Sequence, residues 1–148
     1  MREYFYSVST NLNLARSIYA AWERGEFSAT EWAHPEIEFL AVGDTPTAGE
    51  WKGLAGMAAG WREWLSAWEE FSVKAEHYRE LNDDRVLVMV HFGGRGKTSG
   101  LEVAQMWTKG ASVFHIHGGK VTRLAIYTDY ERALADLGLP SETDSPRT

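Results

Sequence analysis

Apolar residues recur with one period in the middle of this chain and with another in its second half, and that change restricts its fold more than any other feature. Leu54, Met57, Trp61, Trp64, Leu65, Trp68 and Phe71 lie on one stripe of an α-helix, because residues three and four apart share a helix face. From residue 72 onward apolar and polar residues alternate, which is the period of a half-buried strand. The alternation predicts strands over 72–81, 85–93, 100–117 and 120–128, joined by Asn82-Asp83-Asp84, by GGRGKTSG and by Gly118-Gly119. Strands joined by tight turns pair antiparallel. Lys109-Gly110 inside the third strand predicts a bulge or bend there.

Upstream, Leu14, Ile18, Ala21 and Trp22 share a helix face between the capping candidates Ser9, Thr10 and Asn11 and the stop signal Gly25. Ser28-Ala29-Thr30-Glu31 has the form of a capping box and predicts a short second helix that ends at His34-Pro35. A strand over 37–42 and a loop, GDTPTAGEWKG, follow. Residues 129–137 predict a short closing helix with Gly138 and Pro140 as stop signals, and the tail from Pro140 has nothing apolar to pack. Helices first and strands after them predict an α+β domain, a curved antiparallel sheet with helices over one face. One domain over 1–148, with its core at about 10–139, accounts for every element.

Seven tryptophans, six tyrosines and six phenylalanines are more large aromatic area than a core of this size demands, and such side chains suit an apolar ligand cavity as well as a core. The net charge of −6 disfavours nucleic acid and anionic membrane as partners. Without cysteine there is no disulfide, thiol nucleophile or thiolate metal site. The start, MREYFYSVST, lacks a secretory apolar run, and the expected location is the cytoplasm.

The segments RSIYAAWERGEF, HPEIEF, WKGLAGMAAGWREWL, NDDRVLVMV, GRGKTSGLEV and GGKVTRLAIYTDYERALADLGL, in this order, resemble the SnoaL-like branch of the ketosteroid-isomerase and nuclear-transport-factor-like superfamily over about residues 10–139. The resemblance implies a cone-shaped, cystatin-like α+β barrel in which three N-terminal helices enclose one side of a strongly bent sheet. It also implies a pocket at the wide end and a homodimer through the outer sheet face, here Arg123, Ala125 and Tyr127. The superfamily holds isomerases, cyclases, hydrolases and members that only bind, so the fold is better fixed than the function.

The implied pocket takes its walls from Tyr19 and Trp22 on the first helix and from Trp61, Trp64 and Trp68 on the long one. The strands contribute Leu40, Val88, Val90, Ser112, Phe114, Leu124 and Ile126. Enzymes of this group work as acid/base catalysts without a cofactor, and none is expected here. Their carboxylate position aligns with Leu40, their protonated aspartate with Ser112, and their helix-one tyrosine with Ile18, beside Tyr19. All three depart from the isomerase set. The remaining acid/base candidates are His77, Glu38 and Asp129. His77 shares strand parity with Val73 and Ala75, and Asp129 also suits a helix N-cap. Glu36, like Glu38, has the strand parity of Leu40 without matching the carboxylate position, and Glu102, Gln105 and Arg95 are weaker polar candidates near the pocket mouth.

Two patterns suggest other chemistry and fail on inspection. Gly94-Arg95-Gly96-Lys97-Thr98 ends like a phosphate-binding loop, but His91 stands where that motif needs glycine. His115 and His117 in VFHIHGGKV share a face opposite Phe114 and Ile116, so they look away from the core, and no metal is expected. Two functions stay open. One is a cofactor-independent enzyme of isomerase, cyclase or hydrolase type acting on a small hydrophobic molecule. The other is a non-catalytic binding or dimerisation module with the same pocket.

Overall fold

The computed structural model describes residues 2–43, 48–66, 68–96 and 106–141, with side chains described from Thr10 onward except at 68–70, 95, 96, 106 and 107. The elements are α1 (Arg2–Glu23), β1 (Ala33–Val42), β2 (Gly49–Lys52), α2 (Gly53–Ser66), β3 (Trp68–Asn82), β4 (Arg85–Gly96), β5 (Met106–His117), β6 (Lys120–Tyr127) and α3 (Tyr130–Asp136). The strands form one six-stranded sheet in the order β2-β1-β6-β5-β4-β3. The chain is therefore α+β with a curved sheet, as the change of period implies. β3 to β6 run as antiparallel neighbours. β1 instead lies parallel to β6, with Phe39 opposite Leu124, so the sheet is mixed.

Helix α1 starts at Arg2, upstream of the expected caps. Asn11 does not cap it; its side-chain amide donates to the carbonyl of Asp83 in the β3–β4 turn at 2.7 Å. The end of α1 follows expectation. Gly25, at φ +85°, donates to the Trp22 carbonyl, and Glu26 donates to that of Ala21 at 2.9 Å, the paired bonds of a Schellman cap.

No helix forms over 28–34. Ala33 instead donates to the Thr30 carbonyl at 3.0 Å in a turn that leads into β1. The long helix also ends earlier than its stripe. Ser66 closes α2 by donating to the Glu63 carbonyl at 2.8 Å, and Trp68 and Phe71 belong to β3. Phe71 reaches the same core from the strand, with its ring 6.1 Å from that of Trp64. The expected loop after β1 contains β2, paired with β1.

The pairing of β4 with β5 is unbroken from Arg85–His115 to Gly94–Met106, so Lys109-Gly110 forms no bulge. Gly110 is small for another reason: a Cβ there would lie 2.5 Å from the Tyr127 carbonyl and 2.6 Å from the Phe92 ring. Register shifts fall elsewhere, in β3 between Glu69 and Ser72, between Ala75 and His77 and between Glu80 and Asn82, in β1 between Ala33 and Glu38, and at Thr122 of β6 opposite His115–Ile116.

Two apolar layers result. The inner one joins Ile18, Tyr19 and Trp22 of α1, Met57, Trp61 and Trp64 of α2, and the inward residues of β1, β4, β5 and β6. The outer one packs Tyr130, Ala133 and Leu134 of α3 onto Leu87, Ala111, Val113, Ala125 and Tyr127. The third helix is therefore C-terminal and covers the opposite sheet face, in place of a third N-terminal helix. Asp129 is its N-cap, accepting from the Glu131 amide at 3.1 Å.

Candidate functional site

Between the sheet and the two long helices, aromatic rings converge on a small cavity. Tyr19 and Trp22 come from α1, Phe27 from the loop after it, Trp61 and Trp64 from α2, Phe71 and Val73 from β3, Val90 and Phe92 from β4, and Ile126 from β6. The rings interlock edge to face: Trp22 lies 4.7 Å from Tyr19 and 5.0 Å from Trp61 between centroids. The free volume is only about 20 Å³, room for one water molecule. Val88, Ser112, Phe114 and Leu124, expected on the walls, lie fully buried in the same layer.

Leu40 does not join them. The inward positions of β1 are Ile37 and Phe39, and Leu40 packs with the outer layer under α3. Trp68 starts β3, and its side chain lies outside the described residues, as do Glu102, Gln105 and the side chain of Arg95. Phe27, Phe71, Val73 and Phe92 are wall residues that sequence reasoning missed. Phe92 carried a signal, since it shares strand parity with Val88 and Val90. Phe27 sits in an aperiodic loop and carried none.

Among the described residues the interior holds a single polar pair of side chains. Tyr19 Oη and Ser112 Oγ are hydrogen-bonded to each other inside the core, joining α1 to β5. Burial pushes the Tyr19 phenol well above its ordinary range, with the Ser112 bond opposing, so both hydroxyls stay protonated at neutral pH. Such a pair can donate a hydrogen bond to a carbonyl. It cannot take a proton from carbon at neutral pH, which needs a group titrating near the working pH.

The three acid/base candidates lie elsewhere. A bulge between Ala75 and His77 inverts the parity of β3. The Ala75 amide donates to the Glu23 carboxylate at 2.8 Å, Tyr78 takes the inward place 6.5 Å from Tyr19, and His77 is exposed. Glu38 faces outward and pairs with Arg123 at 3.0 Å. Asp129 caps α3. Glu36 is exposed as well. His115 is half-buried on the outer face opposite Arg123, and the exposed His117 stands 3.6 Å from Asp84. His91, also outward, stands 3.2 Å from Glu76. Among the described residues no group of three potential metal ligands converges, and no helix is long and apolar enough to cross a membrane.

A larger space opens on the other side of Phe27 and Trp61. This cleft of about 520 Å³ lies between the α1–β1 connection (Gly25, Glu26, Phe27, Ser28, Thr30) and the outer side of α2 (Met57, Ala58, Trp61, Arg62, Leu65). Its size lies within the range of small-molecule sites, about 300–1,000 Å³. Trp61 lines both spaces and is 6 % exposed, and its indole N–H is buried without a hydrogen-bond partner among the described residues. A buried indole N–H normally has one.

No curated protein sequence matches the chain. Solved structures of similar fold include an NTF2-like protein of unknown function from Burkholderia pseudomallei (TM-score 0.69, 14% identity, 85% of this chain and 95% of that one). A protein with a cystatin-like fold from Xanthomonas campestris gives a TM-score of 0.67 at 18% identity over 79% and 88%. TerC, co-crystallised with polyporic acid, gives 0.64 at 20% identity over 88% and 97%. A family model described as the SnoaL-like domain matches residues 15–124, most of the chain, and with the fold in agreement this protein belongs to the SnoaL-like domain family.

Proposed function

We propose that this SnoaL-like domain binds a small, largely apolar molecule in the cleft between the α1–β1 connection and α2. One observation carries the reading: the cleft has ligand-sized volume, an apolar floor of Phe27, Met57 and Leu65, and in its wall Trp61, whose buried indole N–H has no hydrogen-bond partner among the described residues. The inner cavity, which fits one water, does not hold a ligand in this conformation. Entry to it requires Phe27 and Trp61, shared by both spaces, to move. The neighbour co-crystallised with polyporic acid supports small-molecule binding on this fold.

Binding without catalysis is the reading the interior favours, because its polar pair is two hydroxyls that both stay protonated, with no buried carboxylate or imidazole beside them among the described residues. A cofactor-independent isomerase, cyclase or hydrolase activity has one observation in its favour. Tyr19 and Ser112 form a ready hydrogen-bond donor site for a carbonyl, available once a ligand reaches the inner layer.

A thermal-shift screen of apolar aromatic compounds tests the main reading. Binding at a hundredfold excess over Kd raises Tm by about 5 °C or more. The variant Ala58→Trp, which fills the cleft, abolishes the shift. A screen in which no compound stabilises the wild type sinks the proposal.

A further inference from the structure

The charge around the cleft is not symmetrical. Its lining holds two charged side chains, Glu26 and Arg62, both exposed at the lip. Glu26 is already neutralised: Arg24, two residues before it, lies 3.0 Å from its carboxylate and donates twice to it. Arg62 has no ion pair or hydrogen bond among the described residues. The cleft therefore presents an apolar, aromatic floor with one uncompensated guanidinium at its edge, and the hydroxyls of Ser28 and Thr30 on the facing wall. On a chain of net charge −6 this is a local reversal of sign.

An arginine in such a place has a planar fork of donors that fits carboxylates and similar oxyanions, and it stacks on flat rings. A neutral ring gains only the stacking, whereas an anionic one gains the charge-assisted hydrogen bonds as well. We propose that the cleft selects aromatic organic acids bound as their anions, with the ring body on Phe27, Met57, Trp61 and Leu65 and the anionic group on Arg62. This rests on the small-molecule reading above and adds the ligand's charge to it.

Two fluorescent probes differing by one sulfonate separate the two claims. 8-Anilinonaphthalene-1-sulfonate carries the anion, and N-phenyl-1-naphthylamine has the same rings without it. Both are titrated into the full chain and into the variants Arg62→Gln, Arg62→Lys and Ala58→Trp. The exposed position of Arg62 lets its variants fold. The expected result is that Arg62→Gln weakens the sulfonate probe about fivefold, the value of one partly solvated ion pair. The same change leaves the neutral probe within about twofold. Arg62→Lys retains most of the sulfonate affinity, and added salt weakens that probe in wild type but not in Arg62→Gln. Equal effects of Arg62→Gln on both probes, or on neither, overturn the anion selectivity and leave the binding site standing. Failure of both probes to bind wild type overturns both claims. Survival of sulfonate binding in Ala58→Trp places it outside the cleft and overturns the inference.

Discussion

Tyr19 of α1 and Ser112 of β5 are hydrogen-bonded to each other inside a layer of apolar side chains. This bond joins the first helix to the centre of the sheet, and each hydroxyl satisfies the other where water cannot. Removal of one partner leaves the other buried and unpaired, which costs about 1–3 kcal/mol. Tyr19→Phe and Ser112→Ala are each expected to destabilise by that amount. The double variant is expected to lose less than the sum, because no orphaned hydroxyl remains. Urea unfolding of the four proteins of the cycle measures the coupling; additive losses contradict it.

Gly60 is expected to resist the change that normally strengthens a helix. Alanine favours a helix interior over glycine by about 1 kcal/mol. At Gly60 a Cβ would lie 2.7 Å from the Phe39 ring and 2.8 Å from that of Trp51. Overpacking of this kind costs about 1–3 kcal/mol, so Gly60→Ala lowers Tm. A variant as stable as wild type shows that α2 can move off β1.

His115 gives the stability a pH dependence of known sign. Burial first, then the nearby Arg123 and Arg85, hold its imidazole below the ordinary value of 6.5. The unfolded chain takes up the proton more readily than the folded one, so stability is full above pH 6.5 and is lost as pH falls through that value toward the folded one. His115→Gln is expected to show a shallower loss of Tm than wild type between neutral pH and about pH 5. Parallel curves for the two proteins would falsify the assignment.

A homodimer remains the proposed assembly, through the part of the outer face that α3 leaves open. Ala125 and Tyr127 lie under that helix, whereas Arg123, paired with Glu38, stays exposed. Light scattering at micromolar concentration is expected to give twice the chain mass, and a monomer mass rules the pairing out.

What the sequence made legible followed backbone parity. Val88, Val90, Ser112, Phe114, Leu124 and Ile126 face inward because alternation is a local property of an extended chain. Trp22, Trp61 and Trp64 follow in the same way from helical spacing. His77 was misplaced because one bulge inverts parity, and the Glu23 carboxylate that accepts from Ala75 at that bulge lies 52 residues away. Leu40 was placed by resemblance alone, and alternation along β1, with Ile37 and Phe39 inward, turns it to the other face. The helical stripe ran on through Trp68 and Phe71 because a strand can deliver a ring to the same core that a helix does. The Phe27 and Arg62 cleft had no period to announce it, being made where an irregular connection meets the exposed side of a helix.

The parallel contact of β1 with β6 also has a bearing on how the protein is made. Glu38 and Arg123 are 85 residues apart in sequence, and of the described strands β6 is the last to be synthesised. Until it leaves the ribosome, the nascent chain has no central strand to seat β1 against. The apolar side of β1 therefore stays open until β6 has been made, and a pairing this distant in sequence forms slowly and leaves apolar surface exposed in the meantime.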